Sequence, residues 1–214
     1  FHHYNIENFK TIIHNSIGKY YKYVVMGFDH KIVPKILSKI NNQNLLLIDW
    51  NIHAKPENNY VFQDFGKSFY SSMETIVALF SKYQEIHFLY PTYTSHPKET
   101  LTYFEKFCID SSLKYQIKTN PKEFNIEKGI AYISVSDRVL GIFLEQCREK
   151  NLEPGVDVGF ISYNDTPMKK FIYKGVSVIT TDFEELGAAA AKFVNHDEAM
   201  QMYIPTKIIL RDSL

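Results

Sequence analysis

The stretch IAYISVSDRVLGIFLEQCREKNLEPGVDVGFISYNDTPMKKFIYKGVSVITTDFEELG, residues 130–187, decides the fold. It reads as strand, helix, strand, turn, short helix, strand, helix. Its short apolar runs end on polar pairs: Ser136-Asp137, Asn164-Asp165 and Thr181-Asp182. In an alternating α/β sheet, ligands bind just beyond the carboxyl ends of the strands. One stretch therefore proposes a fold and a small-molecule site together.

The same alternation extends outward. Residues 8–18 read as a helix with Phe9, Ile12, Ile13 and Ile17 on one face. Residues 23–28 and 44–50 are apolar runs bounded by polar residues, so buried strands. Between them, 31–39 reads as a helix with Pro34 in its first turn. A short strand over 60–63 comes next, and Asp64 is expected to cap a long helix through Tyr83. Strand 85–90, helix 98–111 and strand 114–117 follow. The chain closes with a helix over 182–195 and a strand over 205–211. Apolar strands that alternate with helices argue for parallel sheets covered on both faces. There are too many strands for one compact sheet, and no internal repeat appears.

Composition narrows the function. The 214 residues carry zero net charge and only three arginines, Arg138, Arg148 and Arg211, so no basic nucleic-acid surface is expected. Apolar residues at 45% and charged residues at 22% fit an ordinary soluble protein. Cys108 and Cys147 lie on apolar helix faces and read as buried free thiols. No apolar run is long enough to span a membrane. The chain begins at Phe1 rather than Met and is expected to be a fragment. No catalytic or phosphate-binding motif is present, and no Cys/His cluster has zinc spacing. An enzyme, a cofactor and a metal are therefore not expected.

These segments resemble the effector-binding domain of the lactose- and galactose-repressor family. SVSDRVLGIFLEQCREKNLEPGVDVGFISYNDTP (134–167) is similar to that family's strand, Asp-bearing helix start, Gly-containing turn and Asn/Asp-Asp strand end. GVSVITTDFEELGAAAA (175–191) resembles its last crossover, PTKIILRDSL (205–214) its terminal strand, and VFQDFGKSFYSSMETI (61–76) a helix start in its first subdomain. The match covers almost the whole chain. It implies a type I periplasmic-binding-protein-like fold: two Rossmann-like subdomains with parallel sheets, joined by three crossovers. The subdomains would be 1–90 with 180–201, and 91–179 with 202–214. The family's first strand, helix and second strand have no counterpart here. The style of 161–183 and 208–214 resembles sensor domains fused to winged-helix regulators of the gluconate-repressor class in Bacteroides-like bacteria.

The resemblance implies a cytoplasmic, homodimeric transcription regulator whose sensor closes on a sugar or sugar derivative in a cleft between subdomains. DNA would be read only through a separate head. A periplasmic sugar-binding protein of a transport system is the rival reading. Asn164 and Ser136 match family contact positions; Asn164 could also be a simple turn residue. Asp137 reads more readily as a helix N-cap, and Asp182 as a cap, a hinge or a contact. Asp64 shares that ambiguity, and Phe65 beside it is expected to present a ring to the cleft. Trp50, at a strand end, suits stacking on a sugar or a place in the core. The family often places an arginine near 96–98; none is present, so His96 or Lys98 is the expected substitute. Phe124 is a weaker aromatic candidate.

Overall fold

The chain passes between two packing units three times, at 64–65, 181–182 and 204–205. The computed structural model describes residues 1–51, 54–196 and 198–214. Its first half contains α1 (Ile6–Ser16), β1 (Tyr23–Met26), α2 (Val33–Leu37), β2 (Leu45–Asp49), β3 (Asn59–Asp64), α3 (Lys67–Glu74), β4 (Glu85–Leu89) and α4 (Glu99–Asp110). Then come β5 (Tyr115–Lys118), β6 (Ile130–Ser134), α5 (Asp137–Glu149), β7 (Gly159–Tyr163), β8 (Ser177–Thr181), α6 (Phe183–Asn195) and β9 (Gln201–Ile209).

The first unit comprises Phe1–Asp64 and Asp182–Ile204. Strands β1, β2 and β3 pair in parallel, with Leu46 opposite both Val24 and Asn59. Side chains alternate across the sheet, as the two-residue strand period requires. Leu45, Leu47 and Phe62 face Phe9 and Ile13 of α1 and Val33 and Leu37 of α2. Leu46 and Val61 face the other way, onto Phe193 of α6 and Ile204. The Asn5 side chain accepts the Glu7 and Asn8 amides, so α1 starts two residues earlier than its periodicity predicts.

The second unit comprises Phe65–Thr181 and Pro205–Leu214. Its strands run in the order β9, β8, β7, β6, β4, β5. All neighbours are parallel except β8 and β9. The exception has a topological cause. The chain leaves at the carboxyl end of β8 and returns with Thr206 opposite Thr181, so β9 can only run down the sheet. Tyr132 and Phe160 face α5, where Phe143 lies 4.3 Å from Phe160 between ring centroids. Phe88 faces α4 and meets Phe104 at 5.0 Å.

Three expectations change. The first unit ends at Asp64, not at residue 90, because β4 is hydrogen-bonded to β5 and β6 of the second sheet. Asp64 is the last residue of β3, and the following helix is capped at Gly66. That helix ends at Glu74, and a 3-10 segment, Val77–Lys82, completes the stretch expected as one long helix.

Gly155 tests the terminal packing. Its φ is +82°, and a Cβ there would stand 1.8 Å from the Asp212 carbonyl oxygen. Gly155→Ala should cost about 2 kcal/mol or more in urea unfolding, from backbone strain plus a backbone clash. Gly141→Ala is the internal control: Gly141 lies within α5 with open space around it, and alanine should stabilise by up to about 1 kcal/mol.

Candidate functional site

In the second unit, β4 lies between β5 and β6. The chain goes from β4 through α4 to β5 on one side, and from β6 through α5 to β7 on the other. Right-handed crossovers place such helices on opposite faces, and the loops beyond β4 and β6 diverge. This is the topological switch point, where open α/β sheets bind ligands.

Side chains from those two loops meet. The Tyr93 hydroxyl, from the loop after β4, lies 3.1 Å from Ser136 Oγ after β6. The Arg138 guanidinium stacks over the Tyr93 ring at 4.9 Å. Tyr93 is 48% exposed, so ring and hydroxyl remain accessible. Ser136, not Asp137, is the N-cap of α5, and its own amide is held by Ser134 Oγ at 3.2 Å. Asp137 is the first helical residue. Its carboxylate points away from the cap, to the Lys169 ammonium at 2.7 Å.

Asn164 follows β7 in the left-handed region, with φ +60°. Asparagine tolerates that conformation better than most residues. Its amide donates to the Ile179 carbonyl at 2.7 Å, and its carbonyl accepts from Lys169 at 2.7 Å. The residue is exposed, and its carboxamide offers both donors and an acceptor. Lys169 Nζ thus reaches both the Asp137 carboxylate and the Asn164 carbonyl, which brings Ser136, Asp137 and Asn164 together.

His96 and Phe65 lie beneath this surface. The His96 ring sits 4.4 Å from Tyr163 and 5.1 Å from Phe65. The Thr100 hydroxyl donates to the Phe65 carbonyl at 3.1 Å, so it accepts the His96 Nε2 proton at 2.9 Å. Desolvation holds the His96 pKa down to about 3. The imidazole is therefore neutral, with its proton committed inside the protein rather than offered to a ligand. Phe65 is buried and supports His96; it does not present a free ring. Lys98 is exposed at the start of α4. Phe124 is buried in the cluster under α5.

In the first unit, Trp50 is half-buried and lines a small apolar recess with Val33, Leu47 and Phe62. Asp182 is the N-cap of α6 and accepts the Glu185 amide at 3.1 Å. Among the described residues, no group of three or more His, Cys, Asp or Glu could hold a metal. No described helix is long and apolar enough to cross a membrane.

No family profile matches the sequence. Over 89 residues the chain is 32% identical to the HTH-type transcriptional regulator GalR of Streptococcus thermophilus. That match takes in 39% of this chain and only 27% of the relative, about a quarter of its length. Solved structures align far more completely. The trehalose repressor from Escherichia coli superimposes with a TM-score of 0.74 at 13% identity, covering 96% of this chain and 84% of that one. A dimeric Lac repressor superimposes with a TM-score of 0.75 at 15% identity, covering 97% and 83%. The fold is that of the Lac-repressor core. It is α/β, of the type I periplasmic-binding-protein-like kind. The proteins it resembles are transcription regulators and repressors by name, not enzymes.

Four residues escaped sequence reasoning. Tyr93 sits in a polar loop with no periodicity. Arg138 lies at a helix start some forty residues from the 96–98 segment, and only the fold stacks it on Tyr93. Lys169 stands beside Lys170 in a short turn, and nothing in the sequence marks it as buried. A fourth, Arg211, closes the end of β9. It holds Asp165 with two bonds, at 3.0 and 2.7 Å, and donates to the Val176 carbonyl at 2.8 Å.

Two pH effects follow. Arg211 holds the Asp165 carboxyl below the usual range, so this pair stabilises the fold at neutral pH and is lost as pH falls below about 4. Arg211→Gln should cost about 3 kcal/mol at pH 7, by leaving a largely buried carboxylate unpaired, and should flatten that acid limb in urea titrations. His96 has the opposite chemistry but the same sign. Its folded pKa lies below the unfolded value of about 6.5, so the unfolded chain takes up the proton first and stability falls as pH drops below it. His96→Phe should remove part of the slope between pH of about 6.5 and 4.5, read as the difference in urea midpoints from wild type.

Proposed function

We propose that this chain is the effector-sensing part of a bacterial transcription regulator of the lactose- and galactose-repressor type. It takes up a sugar or sugar derivative at the carboxyl ends of the second unit's strands. The observation that carries this reading is the Tyr93–Ser136 bridge at the switch point of the sheet, with Arg138 stacked on the ring. A sugar needs donors and acceptors for its hydroxyls and a flat apolar surface for its C–H face. Tyr93, Ser136, Arg138 and Asn164 supply both.

Regulation requires that the effector bind two states of the protein with different affinity. A homodimer suits a regulator that reads two half-sites, and a separate winged-helix head would make the DNA contacts. The repressor-type fold and the regulator relative support this reading over an enzyme and over a transport protein. The working compartment is then the cytoplasm.

The test is thermal unfolding against a panel of monosaccharides, disaccharides, polyols and sugar phosphates. One class should stabilise the domain, by about 2.7 kcal/mol at a hundred times its Kd. Arg138→Ala and Ser136→Ala should each weaken that ligand roughly tenfold while leaving the ligand-free midpoint nearly unchanged. Stabilisation by none of these compounds would overturn the proposal, as would turnover of any of them.

A further inference from the structure

We propose that Lys169 is the positioning residue of the effector site: its ammonium holds the loop after β7 and the first turn of α5 in one relation. This rests on the function proposed above. Lys169 lies in the 3-10 turn Pro167–Lys170 and is only 2% exposed. An ammonium has three protons. Here three acceptors take them: the Tyr163 carbonyl at 2.9 Å, the Asn164 carbonyl at 2.7 Å and Asp137 Oδ1 at 2.7 Å. No proton remains for a ligand, so Lys169 acts only through its neighbours.

Stability alone does not account for a lysine here. Burying a charge costs several kcal/mol before pairing, and a well-packed apolar side chain of similar volume is often as stable or more so. A methionine could fill the space. It could not bind two successive carbonyls and a carboxylate from another loop. Those bonds have a definite geometric result. The Asn164 peptide is pinned from one side by Lys169 and from the other by β8, through the Ile179 carbonyl. The next amide, Asp165, is held by Thr180 Oγ1 at 3.0 Å. Only the Asn164 carboxamide is left to project. At its other end the ammonium ties Asp137, flanked by Ser136 and Arg138. The lysine's own backbone is anchored by the Thr166 carbonyl at 3.0 Å and the Val176 amide at 2.8 Å. One buried atom thus sets the spacing between contacts that belong to separate loops.

The experiment compares Lys169→Met and Asp137→Ala with the wild-type chain by amide hydrogen exchange, without effector, and by the sugar panel. In K169M, the Asn164 and Asp165 amides and the Val139 and Leu140 amides in the first turn of α5 should exchange at least tenfold faster, with β4 and α4 unchanged. In D137A, which keeps the lysine and its carbonyl bonds but removes the acceptor on α5, only the α5 amides should accelerate. Any sugar that stabilises the wild type should bind K169M at least tenfold more weakly. Unchanged exchange at both loops in K169M would overturn the proposal. So would a uniform acceleration across the second unit, which would mark Lys169 as core support only. If K169M fails to fold, D137A decides: no acceleration at Val139 and Leu140 overturns the proposal. If no sugar stabilises the wild type, the effector reading fails, while the exchange data still decide the positioning role.

Discussion

Strand β4 hydrogen-bonds to β5 along one edge and to β6 along the other, and the candidate site depends on that arrangement. The strands are parallel, so each connection must cross over, and crossovers have one hand. The helices that follow β4 and β6 are sent to opposite faces, and their entry loops part at the carboxyl edge. Across them the Tyr93 hydroxyl meets Ser136, and Arg138 covers the Tyr93 ring. A different strand order with the same helices would leave Tyr93 and Ser136 on unrelated surfaces.

Two cations hold that edge in shape from behind. Arg211 and Lys169 are both largely buried, and each meets a carboxylate and main-chain carbonyls. Buried charges are tolerated only when fully hydrogen-bonded. Lys169 has all three protons taken, Arg211 keeps slight exposure and makes three bonds, and the partners lie at the end of β7, just before β8 and at the start of α5. Electrostatics here fixes geometry more than it adds stability. The His96, Phe65 and Tyr163 cluster is the apolar counterpart: packed ring against ring, with the neutral His96 giving its proton to Thr100.

Much of the fold was legible because it depends on local patterns. Apolar runs between polar ends gave strands, and spaced apolar residues gave helices. Errors came where one residue's role depends on a distant one. Ser136 and Asp137 are both good caps, and capping preference cannot choose between them. Lys169, from another element, holds the Asp137 carboxylate, and the N-cap position falls to Ser136, whose side chain makes no capping bond and turns to Tyr93 instead. Residues 65–90 looked like part of the first subdomain because strand order along the chain does not reveal strand order in the sheet. Asp182 was left between a cap, a hinge and a contact, and the structure shows its local capping bond.

The sequence by itself determined the α/β alternation, the strand-end positions of Ser136 and Asn164, and the resemblance to the Lac-repressor type of fold. These depend on composition and spacing over short windows. Tertiary structure alone decided the strand order, the antiparallel course of β9, the stacking of Arg138 on Tyr93 and the burial of Lys169. Each of these is a contact between segments far apart in the chain, formed only when the sheet closes. Residue identity tells which bonds a side chain can make, but only the packed sheet decides which partner is within reach.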